Sequence, residues 1–168
     1  AGHPRLVFEL ATFTQTQPAH FRRDTDYDSR KPDVQETRVW AIGQLVAARQ
    51  FLQLAKTHGS SKKNLFPEFT FYECHTCHHS VETVRWQARR TNPLGPGQMR
   101  LNDSAILISV SILKVIDSKS AKELERLVRR MHSASLTTGA ELGETISQLD
   151  NLLSDALDKT KNYNFSST

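Results

Sequence analysis

The chain has 168 residues, 38% hydrophobic and 24% charged, and its 22 Lys and Arg exceed its 18 Asp and Glu by 4. A mean hydropathy of -0.50 fits one ordinary globular domain, able to bury about two-thirds of its unfolded surface, and excludes collagen-like, mucin-like, disordered and disulfide-dense classes. The most apolar uncharged stretch, Ser104 to Leu113, has ten residues, about half of the ~20 that a membrane-spanning helix needs. The basic excess is spread along the chain with no stripe to follow a phosphate backbone. Neither a membrane span nor a nucleic-acid partner is expected.

Helical periodicity dominates and β-branched alternation is scarce, so the expected fold is mainly α, a helical bundle. Ala1 to Arg5 lacks the basic and apolar segments of a secretory leader; the expectation is a leader already removed, or a piece of something longer. Pro4 at a first helical position, with Leu6, Val7, Leu10 and Phe13, predicts a short helix ending before Pro18. Thr14 to Pro32 is polar and reads as a long surface excursion. Asp33 and Glu36 form a capping box for a helix ending near Gly59, with Val39, Trp40, Ile42, Leu45, Val46, Phe51, Leu52 and Leu54 as its apolar face.

A polar loop, Ser60 to Asn64, leads to Pro67, which opens a short helix running into the cysteines. Val81, Val84 and Trp86 predict further helical turns, ended by the loop Asn92 to Gly97. Three helices fill the remainder: one from Ile106 to Ile116 capped by Asn102 or Asp103, one boxed by Ser120 and Glu123, and one boxed by Thr138 and Glu141. In the last, Leu142, Ile146, Leu149, Leu153 and Ala156 make a four-three seam that should pack lengthwise on a neighbour. Residues 1–161 are expected to be a single helical domain, and 162–168 a frayed tail.

The chain's only cysteines, Cys74 and Cys77, stand in Cys74-His75-Thr76-Cys77-His78, the Cys-x-x-Cys-His pattern of c-type haem attachment. One helical turn sets the two thiols to reach the vinyl groups on one porphyrin edge, and the next residue brings an imidazole under the iron. The expected cofactor is therefore covalent haem c with its iron, held by Cys74, Cys77 and His78. Zinc competes, because Cys74, Cys77, His78 and His79 are all ligand types, but four ligands within six residues surround an ion poorly. A thioredoxin-like redox site lacks its strand-helix-strand setting.

Three segments carry a resemblance: Ala-Gly-His-Pro-Arg-Leu at the start, Arg38-Val39-Trp40-Ala41-Ile42-Gly43-Gln44, and Phe69 to His79 with its Cys-x-x-Cys-His-His. Over about the first 90 residues the chain resembles the C-terminal part of the multihaem cytochrome c family related to the haem carriers of hydroxylamine oxidation. The helical remainder matches no motif. In that family further Cys-x-x-Cys-His motifs precede the Gly-His-Pro-Arg-Leu segment; here they are absent.

The sixth iron ligand has more candidates: His3, His20, His58, His75, His79, His132, Met99 and Met131. His79 and His75 adjoin the proximal side and point elsewhere. His3 is preferred, as part of the family-like segment ahead of a helix able to dock over the ring; against it stands an exposed residue near a terminus. Met99 follows a Pro/Gly-rich loop like that of small cytochromes, although a lone methionine more often packs. Arg85, Arg89, Arg90 and Arg100 are either partners for haem propionates or a solvated face. Phe66, Phe69, Phe71, Tyr72 and Trp86 either exclude water from the ring or are simply core.

The expectation is a periplasmic or other extracytoplasmic c-type cytochrome that carries single electrons rather than an enzyme. Its expected partners are other haem proteins or haem-bearing subunits, in an oligomer or a larger complex. Two other readings stand beside it: a five-coordinate haem enzyme or small-ligand binder, and a non-haem helical interaction module.

Overall fold

The computed structural model describes residues 10–19, 22, 24–31, 35–59, 69–74, 78, 82, 87, 89, 91–137 and 139–165. Six α-helices lie among them: α1 (Leu10–Thr16), α2 (Thr25–Arg30), α3 (Glu36–Gly59), α4 (Ser104–Ile116), α5 (Ser118–Ala134) and α6 (Gly139–Asn162). The mainly α expectation holds. α3, α4, α5 and α6 form a four-helix bundle in which each helix packs on two neighbours in that cyclic order, and α4 and α6 meet only slightly across the diagonal. The bundle packs through seams of the kind antiparallel helices share.

The seam expected of α6 is the one observed: Leu142, Ile146, Leu149, Leu153 and Ala156 are all buried, against α3 and α5. Two hydroxyls share this inner face. Thr145 and Thr160 are buried and donate to the carbonyls of Glu141 (2.9 Å) and Ala156 (2.7 Å), so no polar atom is stranded.

α3 departs from the expected face. Its buried residues are Ala41, Leu45, Ala48, Leu52 and Ala55, whereas Val39, Trp40, Val46 and Leu54 are exposed. The inner stripe follows four-three-four-three spacing and alternates alanine with leucine. Helices pack by setting rows of side chains into the partner's grooves, so one such row faces inward and the other apolar residues stay outside. Arg49 on α3 donates to Asp150 on α6 at 2.7 Å and secures the same contact.

Two helix starts also differ from expectation. The stretch read as surface excursion holds α2, opened by Asp24, whose side chain accepts from the Tyr27 N–H at 2.8 Å. α5 begins at Ser118 rather than at a Ser120 box, because Asp117 caps it by accepting from the N–H groups of Lys119 and Ser120, both at 3.1 Å. Asp117 also ends α4, where its own N–H donates to the Leu113 carbonyl at 2.7 Å. A single residue therefore turns one helix into the next. For α3, Asp33 of the expected capping box lies outside the described residues, as do Pro4 and Pro67 and the turns expected around Val81, Val84 and Trp86.

Lys159 on α6 donates to the Asp117 carboxylate, and with the Ser120 hydroxyl it holds that carboxyl well below the usual carboxylate range. A carboxyl whose pKa is lower in the folded state stabilises the fold above its unfolded value and loses that contribution as the pH falls. Asp117→Asn should therefore lower the urea midpoint at pH 7. Its deficit against the parent should shrink as the pH drops below the ordinary carboxylate value of about 4. A deficit independent of pH would contradict the assignment.

Beyond α6 the chain returns to the start of α3. Arg38 Nε donates to the Tyr163 carbonyl at 3.1 Å, and the Phe165 N–H donates to Gln35 Oε1 at 3.3 Å. The rings of Tyr163 and Phe165 meet edge to face with centroids 4.8 Å apart. Among the described residues no helix is long and apolar enough to cross a membrane.

Candidate functional site

The cysteine motif lies on the long connection between α3 and α4, and the described part of that connection is anchored at both sides. Phe71 is buried, its ring edge-to-face with Phe51 of α3 at a centroid distance of 5.9 Å. The Asn102 N–H donates to the Phe71 carbonyl at 2.8 Å and the Glu73 N–H to the Arg100 carbonyl at 2.9 Å, so Tyr72 pairs antiparallel with Leu101. The pairing fixes residues 71–73 against the segment that enters α4. Tyr72 is half-buried, and burial pushes its phenol up.

Cys74 follows directly and is exposed, with a free thiol. The His78 N–H donates to the Cys74 carbonyl at 2.9 Å. His78 is exposed as well. Cys77 and His3 lie outside the described residues, as do His20, His75 and His79, and nothing is described of the His58 side chain. Of the aromatic residues expected near the motif, Phe71 belongs to the core and Phe69 is exposed, while Phe66 and Trp86 lie outside the described residues.

Three of the sixth-ligand candidates are described. Met99 is exposed on the loop before Arg100, whose turn contains Gly97 at φ 78. Met131 and His132 are both 0% exposed, within α5. They stand in the core because the apolar face of α5 wraps onto α4 and α6, and His132 lies on that face.

His132 has a different partner. Its Nε2 is 3.0 Å from Oδ2 of Asp103, which is itself 1% exposed. With a carboxylate as acceptor, the Nε2–H is the donor. Asp103 occupies the N-cap position of α4 but makes no side-chain capping bond; Asn102 Oδ1 instead accepts from the Ser104 N–H at 3.2 Å. Arg100, 9% exposed, places its Nε 3.8 Å from the other oxygen, Oδ1. Arg100 Nε, Asp103 Oδ1 and His132 Nδ1 are all buried without a hydrogen-bond partner.

A charged cluster thus sits under the α4 entrance, and through the Arg100 carbonyl its backbone is bonded to the residue before Cys74. Sequence reasoning weighed Arg100 as a propionate partner, Asp103 as a cap and His132 as a ligand, without joining them. A histidine on the apolar stripe of an amphipathic helix was the available signal, but its partner is 29 positions away. Among the described residues no group of three His, Cys, Asp or Glu side chains is placed to hold a metal ion.

Compared with known protein families, curated proteins and solved structures, the chain matches none.

Proposed function

We propose that the chain is a c-type cytochrome that carries single electrons through one covalently attached haem, outside the cytoplasm, as one station of a multihaem assembly. The observation that carries this reading is Cys74-His75-Thr76-Cys77-His78 with the His78 N–H bonded to the Cys74 carbonyl at 2.9 Å. That bond draws the two ends of the pattern together, as presenting two thiols and an imidazole to one group requires. The exposed Cys74 thiol and the exposed His78 suit a group attached from outside the bundle.

Cys74 and Cys77 would hold the haem by thioether bonds, and His78 would be the proximal iron ligand. His3 is the proposed distal ligand. When bound, the haem supplies an iron centre that gains and loses one electron. The chain's own share is to hold that centre: residues 71–73, pinned between α3 and the α4 entrance, keep the attachment turn fixed on a rigid bundle, which limits reorganisation between oxidation states. With His78 and His3 both holding the iron, no position would be left for substrate, so the reading is a carrier rather than an enzyme.

The test is expression in a host with a c-type maturation system. The purified chain should keep its colour through denaturation and acidic acetone, and its pyridine haemochrome should be that of a haem with both vinyls saturated. Its iron should be low-spin, and His3→Ala should turn it high-spin. A colourless chain, or haem extracted by acidic acetone, refutes the proposal. Native mass measurement tests the assembly, which a strict monomer with one haem would contradict.

A further inference from the structure

Every exposed position of α3 between Val39 and Leu54 is uncharged. Val39, Trp40, Val46 and Leu54 supply the apolar surface of this outer side, and Gly43, Ala47 and Gln50 lie exposed among them. α1 touches α3 without covering these residues. With Glu36 and Thr57 at its ends, the face runs about 30 Å at 1.5 Å per residue. Large apolar residues grouped on one face of a globular domain mark a surface that another molecule covers.

The order of residues along the face selects its occupant. A second α3 laid antiparallel on the first, about a two-fold axis between Val46 and Ala47, brings Val46 level with Ala47 of the copy, Gly43 with Gln50 and Val39 with Leu54. Apolar residues then meet apolar ones, and the long Gln50 side chain lies over the gap at Gly43. Charge agrees with this sense of pairing. Glu36 and Lys56, exposed near opposite ends of the helix, come to the same end from different copies, while the two Glu36 carboxylates stand about 30 Å apart, well beyond the screening length of about 8 Å. A parallel pair would set Glu36 beside Glu36. We infer that this face is the contact between two copies of the chain, an antiparallel α3–α3 pair in which the same patch serves both. The face is smaller than the about 20–30 residues a side of a standard stable interface, so the pair forms at high protein concentration and dissociates on dilution. It involves no residue of the cysteine motif and does not rest on the haem reading.

Sedimentation equilibrium of the full chain over a wide range of concentration is the test, and the mass should rise from one chain towards two. Gly43→Glu should weaken association by about tenfold or more, because it buries a charge where the helices cross. A side chain at position 43 meets nothing within 4 Å, and glycine is a poor helix former, so the variant should keep its fold. Adding Gln50→Lys, which stands level with position 43 of the copy but two turns away on its own helix, should restore most of the association. In the parent, the methyl signals of Val39 and Val46 should move with concentration while those of the buried Val110 and Val128 stay in place. A parent that remains a single chain at every concentration overturns the inference, whether the chain's own first residues or a different protein covers the face. So does a Gly43→Glu chain that associates as the parent does, or a loss that Gln50→Lys fails to restore. Haem attachment is read separately, from the colour of the same samples.

Discussion

Asp103→Ala should destabilise the protein by about 3–5 kcal/mol, the cost of removing one partner from a buried charged pair. Two consequences combine. His132, 0% exposed, loses the acceptor of its Nε2–H at 3.0 Å, and Arg100 loses the carboxylate that lies 3.8 Å from its buried Nε. Asp103→Asn keeps the shape and an oxygen acceptor for the Nε2–H, and should cost distinctly less. Urea unfolding with matched m-values measures both, since a shift of midpoint at constant slope reports stability alone. A loss under about 1 kcal/mol in Asp103→Ala would mean that the pair is dispensable, as buried ion pairs sometimes are when well replaced.

Leu52→Ala and Leu54→Ala should separate sharply although the two residues are neighbours on one helix. Leu52 is 0% exposed in the α3 seam and Leu54 is 54% exposed. The first should cost about 2–5 kcal/mol through lost burial and the cavity left behind, and the second should stay within about 0.5 kcal/mol, as surface changes usually do. Thermal and urea unfolding of the two variants side by side checks the register of α3. Equal losses would mean that the apolar face is the broader one which the sequence pattern suggests.

The α3 result shows where pattern reading reaches its limit. Val39, Trp40, Val46 and Leu54 are as apolar as Leu45 and Leu52, so a hydrophobicity pattern cannot rank one stripe above the other. What selects the inner stripe is how α3 packs on α4 and α6, and packing depends on shape and volume as well as on hydrophobicity. α6 has no such ambiguity. Leu142, Ile146, Leu149 and Leu153 fall on one seam, and that seam is the one buried, with Leu152 and Leu157 partly buried beside it.

The candidate site divides along the same line. Cys74, Cys77 and His78 are legible because the chemistry they suit is encoded in consecutive positions, where the local turn alone sets the spacing. Arg100, Asp103 and His132 are legible only as separate residues. Asp103 stands where a helix cap belongs, and its position is indeed the N-cap of α4, but its side chain turns inward instead of capping. His132 has a ligand's chemistry, but packing closes it inside the bundle.

By itself, then, the sequence determined the helical class, the seam of α6 and the spacing of the cysteine motif, because each depends on interactions within a few residues or on periodicity along one helix. The tertiary structure alone decided which stripe of α3 faces inward, that Asp117 joins α4 to α5 and is gripped by Lys159, and that a buried Arg–Asp–His cluster backs the connection bearing the motif. These last features depend on side-chain volume and on contacts between residues tens of positions apart. Such contacts exist only after the helices have packed, and the sum of burial, charge pairing and fit that selects them is not written in any local stretch of the chain.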